Sequence, residues 1–110
     1  MARAYLPDAG DLVWMNFTPQ AGREQAGHRP ALVLSPADYN ARIGLMVCCP
    51  LTSRIKGYPF EVVIGGDQPA AVLADQVKSV DWQVRNTKRK GTVSSAELAE
   101  VRAKIRALIG

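Results

Sequence analysis

The chain is poor in the residues that most often announce chemistry: one histidine, two cysteines, two tryptophans and two phenylalanines in 110 residues. Cys48 and Cys49 are neighbours inside LMVCCPL, so no zinc-type set such as a CxxC paired with a second CxxC can be assembled. On a strand the two thiols point to opposite faces, and a disulfide between them would need an unusual backbone; both are expected to be free. The lone His28 lies in a polar stretch and neither cysteine has a local base, which argues against a Ser-His-Asp or Cys-His centre for acyl transfer. Apolar runs are too short to span a bilayer, and MARAYLPDAGD lacks the apolar segment of a secretion signal, so a cytoplasmic protein with no membrane part is expected. The length suits one domain, residues 1–110, with a core that needs neither metal nor disulfide.

What the chain does have is local charge. Lys and Arg outnumber Asp and Glu by 14 to 10, and RNTKRK alone holds Arg85, Lys88, Arg89 and Lys90, leaving the remainder balanced. Such a knot is either a site for a polyanion or a solvated turn.

Strand formers recur in short runs: 11–17, 30–35, 45–52, 60–65, 70–75, 76–82 and 91–93, punctuated by Gly, Pro and Asp. SPADYNARIG reads as a turn. Helical period is confined to the C-terminus, where Leu98, Val101, Ile105 and Leu108 form one stripe, Ser94 and Glu97 form a capping box, and Gly110 closes the end. Many strands and one terminal helix predict a mainly β fold, a small bent antiparallel sheet or partial barrel with the helix laid against it. Two polar loops, 18–29 and 52–59, flank core strands where reactive groups could gather.

Those loops carry Glu24, His28, Arg29, Thr52, Ser53, Arg54 and Lys56. The set suits RNA cleavage by the ribose 2′-OH, which needs a base for the hydroxyl, an acid for the departing 5′-oxygen and donors for the phosphorane. Arg29 offers a phosphate fork, Thr52 a hydroxyl donor, and Glu24 a base or an orienter of Arg29. Each residue also admits a structural role: a Glu24–Arg29 salt bridge, a hydrogen-bonding His28, a β-branched Thr52 ending a strand, and Trp14 and Trp82 in the core.

PDAGDLVW, EQAGHRPALVLSP, CCPLTSRIKGYPFEV, ADQVKSVDW and KGTV before a terminal helix together resemble, in order and spacing, the MazF/PemK-type toxins of bacterial toxin-antitoxin systems. The resemblance runs end to end and implies the small SH3-like, CcdB/PemK-type (MazF) barrel. It implies a homodimeric endoribonuclease, free of metal and other cofactors, that cuts single-stranded mRNA at a short site, ACA-type by loop similarity. The products would be a 2′,3′-cyclic phosphate and a 5′-OH, and a MazE-like antitoxin with an acidic tail would neutralise it. It implies catalytic roles for Arg29, Thr52 and Glu24, and an RNA path along Gln25, His28, Arg54, Lys56, Gln76 and Lys78. The high pKa of arginine keeps His28 in view as an alternative acid. Two rivals stand beside this reading. A gyrase poison of the CcdB kind would end in Trp-Gly-Ile, whereas this chain ends Leu108, Ile109, Gly110. A silent RNA-binding module would use Glu24 and Arg29 only as a pair.

Overall fold

The computed structural model describes residues 5–17, 27–66 and 68–110. Among them run β1 (Asp11–Asn16), β2 (His28–Val33), α1 (Ala37–Ile43), β3 (Met46–Thr52), β4 (Glu61–Ile64), β5 (Ala70–Leu73), β6 (Lys78–Val80), β7 (Lys88–Thr92) and α2 (Ser95–Ile109). The strands form one antiparallel sheet in the order β4-β5-β3-β2-β1-β7, with β6 also on β3. β3 organises the bend. Its first half pairs with β6 through Met46–Val80 and Cys48–Lys78, and its last two residues pair with β5 through Leu51–Val72 and Thr52–Ala71. Pro50, which has no N–H to offer, stands at the junction.

The bend gives the sheet two cores. Leu12, Leu32, Cys49, Leu51, Val62, Val72 and Val101 of α2 fill one; Val13, Met15, Phe17, Val33, Met46, Cys48 and Trp82 fill the other. Cys48 and Cys49 therefore do face opposite ways, both free and buried. Burial pushes each thiol up to about 12. Because the thiolate is the nucleophile, a thiol reagent at pH 8 should leave the folded protein unlabelled and titrate both cysteines once it is unfolded. Stoichiometric labelling before unfolding would contradict this packing.

α2 forms as the sequence predicts. The Ser94 hydroxyl accepts from Glu97 N–H at 3.1 Å, and the Glu97 carboxylate accepts from Ser94 N–H at 2.9 Å. Its other oxygen accepts from Gly65 N–H at 3.2 Å, tying the helix start to the β4–β5 turn. The Ser94 N–H holds the Glu97 carboxyl below its usual range despite some desolvation. Ser94→Ala should lower stability by about 1 kcal/mol in urea unfolding at neutral pH. A depressed carboxyl contributes stability that is present above its unfolded pKa and disappears as pH falls through the folded one. Alanine keeps the backbone N–H that depresses the carboxyl, so wild type and variant should lose this contribution together on acidification and the difference between them should stay nearly constant.

Three expectations need correction. SPADYNARIG is not merely a turn but holds α1. Its N-cap, Pro36, offers no side chain, and the Ala37 N–H is satisfied by the Asp8 carboxylate at 2.9 Å, a partner 29 residues away. The predicted strands 70–75 and 76–82 are shorter than expected, because residues 74–76 form a 3-10 turn and the Asp81 carboxylate, accepting from Gln83 and Val84 N–H, turns the chain. The basic knot is half strand: Lys88, Arg89 and Lys90 belong to edge strand β7, whose pairing with β1 slips between Leu12 and Val13. Charged residues on an edge discourage pairing with another chain.

Candidate active site

His28 and Arg29, expected in a loop, are the first two residues of β2, opposite Asn16 and Met15 of β1. Successive residues of a strand face opposite sides, so the two are separated at once. β2 and β3 stay paired from Val33–Cys48 to Ala31–Pro50. Two residues further, the same register would seat Arg29 against Thr52. The strands part before that point, with Thr52 held on its other edge by Ala71. A cleft of about 1010 Å³ lies there, lined by Arg29, Thr52, Ser53, Arg54, Lys56, Tyr58, Glu61, Leu73, Asp75 and Gln76.

The cleft is built from fixed parts. Thr52 is buried, and its hydroxyl oxygen accepts from Arg54 N–H at 3.1 Å, which leaves the hydroxyl proton to donate elsewhere. Beyond it the basic segment arches over Gly57, whose φ of +78 lies in the left-handed region that glycine enters without strain. The Glu61 carboxylate accepts from Lys56 N–H at 3.0 Å and from Gly57 N–H at 2.8 Å. Lys56 Nζ stands 5.6 Å from the centre of the exposed Tyr58 ring.

Of the residues singled out from sequence, Arg29, Thr52, Ser53, Arg54, Lys56 and Gln76 line this one cleft. Glu24 and Gln25 lie outside the described residues. His28 sits on the other face of β2, its ring stacked on Trp14 with centroids 5.7 Å apart and its Nδ1 3.0 Å from Asn16 Oδ1. Lys78 pairs with Cys48 further up β3 and lays its ammonium 5.4 Å from the Phe17 ring. Trp82 is a core residue, its Nε1–H donating to Asn40 O at 3.0 Å, whereas Trp14 is half-exposed between His28 and the Lys90 ammonium. Within the basic knot, Arg85 donates to Asn16 O at 2.9 Å and so anchors the end of β1. Sequence reasoning missed Tyr58, Glu61 and Asp75; a carboxylate five residues after Lys56 in a basic loop was the available signal for Glu61.

Fold and cleft define a small mainly β protein with a cationic groove suited to a polyanion. Residues 8–109 match the PemK-like, MazF-like toxins of type II toxin-antitoxin systems. The chain is 54% identical over 111 residues to the endoribonuclease toxin MazF of Escherichia coli K12, covering 100% of both. It superposes on MazF (Form-I) from Deinococcus radiodurans with a TM-score of 0.93 at 55% identity, covering 97% of this chain and 99% of that one. Against MazE-MazF (Form-II) from the same bacterium the TM-score is 0.86 at 50% identity, with 97% and 98% covered. The chain belongs to the PemK-like, MazF-like toxin family, and the mainly β fold with a C-terminal helix is the one expected of it.

Proposed function

We propose that the protein is an endoribonuclease toxin that cuts single-stranded mRNA in the cytoplasm at a short, ACA-type site, leaving 2′,3′-cyclic phosphate and 5′-OH ends. The observation that carries the reading is the parting of β2 and β3, which sets Arg29 and Thr52 at one cleft with Arg54 and Lys56 beside them. Arg29 grips the scissile phosphate through its fork and delivers a proton to the departing oxygen. Thr52 donates its hydroxyl proton to the phosphorane, and Glu24 accepts the 2′-OH proton or orients Arg29. Ser53, Arg54, Lys56 and Gln76 hold the flanking RNA; Gln25 and Lys78 extend the path, whereas His28, on the opposite face of β2, does not join it. The placement of His28 beside Trp14 favours Arg29 over it as the acid.

The protein works as a homodimer, and a MazE-like antitoxin inhibits it. The cations Lys88, Arg89 and Lys90 on β7 would speed capture of an acidic, unstructured antitoxin tail. The test is antitoxin-free protein on a synthetic RNA with one ACA, in EDTA, beside the matching DNA. Discrete cutting of RNA alone, with cyclic-phosphate ends, is expected. Survival of both this RNA and a long mixed-sequence mRNA would favour a binding module or a gyrase poison.

A further inference from the structure

Glu61 is, with Asp75, one of two carboxylates lining a groove that also presents Arg29, Arg54 and Lys56 and where a polyanion is to bind. Its geometry accounts for its presence. One oxygen, Oε1, receives both Gly57 N–H at 2.8 Å and Lys56 N–H at 3.0 Å, while Oε2 stands 3.4 Å from Lys56 N. Two successive amides ending in a left-handed glycine make an anion-binding concavity, and here the anion is internal. The Glu61 N–H closes the turn by donating to Tyr58 O at 3.0 Å, and Lys104 Nζ of α2 donates to Pro59 O. At the other end the Thr52 hydroxyl receives Arg54 N–H. The arm that carries Arg54, Lys56 and Tyr58 is thus pinned at both ends.

We propose that Glu61 is a positioning residue for RNA: through the amides of Lys56 and Gly57 it pre-arranges the cationic arm of the cleft. The inference rests on the endoribonuclease reading. It sets reach against charge. Glutamine has a carbonyl oxygen where Oε1 stands and can receive both amides without the charge; aspartate keeps the charge and falls a methylene short.

The experiment compares wild type, Glu61→Ala, Glu61→Gln and Glu61→Asp on one single-site RNA, recording kcat, KM and melting temperature. Freeing the arm makes RNA binding order Arg54 and Lys56, worth roughly tenfold in KM. Glu61→Ala and Glu61→Asp should both show that rise with a smaller change in kcat, and Glu61→Gln should recover most of it. If Glu61 acts only as a negative charge, Ala and Gln will both lower KM, and the inference falls. If it is only a stability contact, Ala and Asp will melt earlier yet keep the wild-type KM below their transitions, which also overturns it. Should Ala fail to fold, the Gln–Asp comparison decides by itself. A wild-type protein that cuts no RNA sinks the endoribonuclease reading instead, so the two failures are distinct.

Discussion

Arg29→Ala should abolish RNA cleavage while leaving the fold intact. Arg29 is half-buried near the start of β2, beyond the last β2–β3 pair and apart from the residues that fill the two cores. Its loss removes both the phosphate fork and the proposed acid. Loss of one pre-arranged donor to a developing oxyanion lowers kcat by about 10² to 10³. Loss of two functions held by one group should reach at least the upper end of that range. Arg29→Lys keeps a charge but not the planar fork, so it should recover only a small part of the rate. Thr52→Val, which keeps the shape and removes the hydroxyl, should cost about 10² in kcat. Groups that act as a unit are not additive, so the double variant should be little worse than Arg29→Ala alone. A folded Arg29→Ala protein with undiminished activity would falsify this mechanism.

The largest effect on stability should come from Asn40. Its side chain is fully buried in α1. Nδ2 donates to Pro7 O at 2.9 Å and to Ser35 O at 3.0 Å, and Oδ1 accepts from Ser35 Oγ–H at 2.6 Å. Ser35 Oγ in turn accepts from Val47 N–H of β3 at 2.8 Å. This one amide joins the N-terminal segment, the β2–α1 turn and, through Ser35, the central strand. Asn40→Ala strips partners from two buried carbonyls and a hydroxyl, each worth about 1–3 kcal/mol when left unsatisfied. A total loss of about 3–5 kcal/mol is expected, a large share of a typical domain's stability of about 5–15 kcal/mol. Urea unfolding at fixed protein concentration measures it, since self-association would make the midpoint concentration-dependent. A loss below about 1 kcal/mol would mean that water replaces the amide.

The contrast between α1 and α2 shows which parts of the fold a sequence can disclose. α2 announces itself because its cap is local: Ser94 and Glu97 are three residues apart, and Leu98, Val101 and Ile105 follow at helical spacing. The stripe weakens only at Leu108, which is exposed. α1 has seven residues, a proline at its N-cap and a capping carboxylate from Asp8, so most of what stabilises it lies elsewhere in the chain. Pro36 and Gly44, with φ of +79, were its only nearby punctuation. Strand cores were legible through β-branched runs, while strand ends depended on partners: β2 begins at His28 because β1 continues to Asn16 and pairs with it. The cleft follows the same division. Arg29 and Thr52 were readable as chemistry, but their juxtaposition comes from the β2–β3 register and the point where β3 turns to β5. The separation of His28 from Arg29 follows from strand alternation once both are known to lie in β2. Glu61 looked like an ordinary strand residue because its partners are backbone amides of a loop.

The most direct test of the central claim replaces one atom of the substrate. A natural RNA carrying a single ACA would be compared with a series of otherwise identical RNAs, each with one 2′-deoxy sugar at a different position of the site. Attack by the ribose hydroxyl on its own phosphate predicts that the natural RNA is cut to a cyclic phosphate and a 5′-OH. It also predicts that one deoxy position, and only that one, leaves the strand whole at the scissile bond. Cutting at that bond with every deoxy substitution would show that the nucleophile comes from elsewhere, and the account of Arg29 and Thr52 at this cleft would fail.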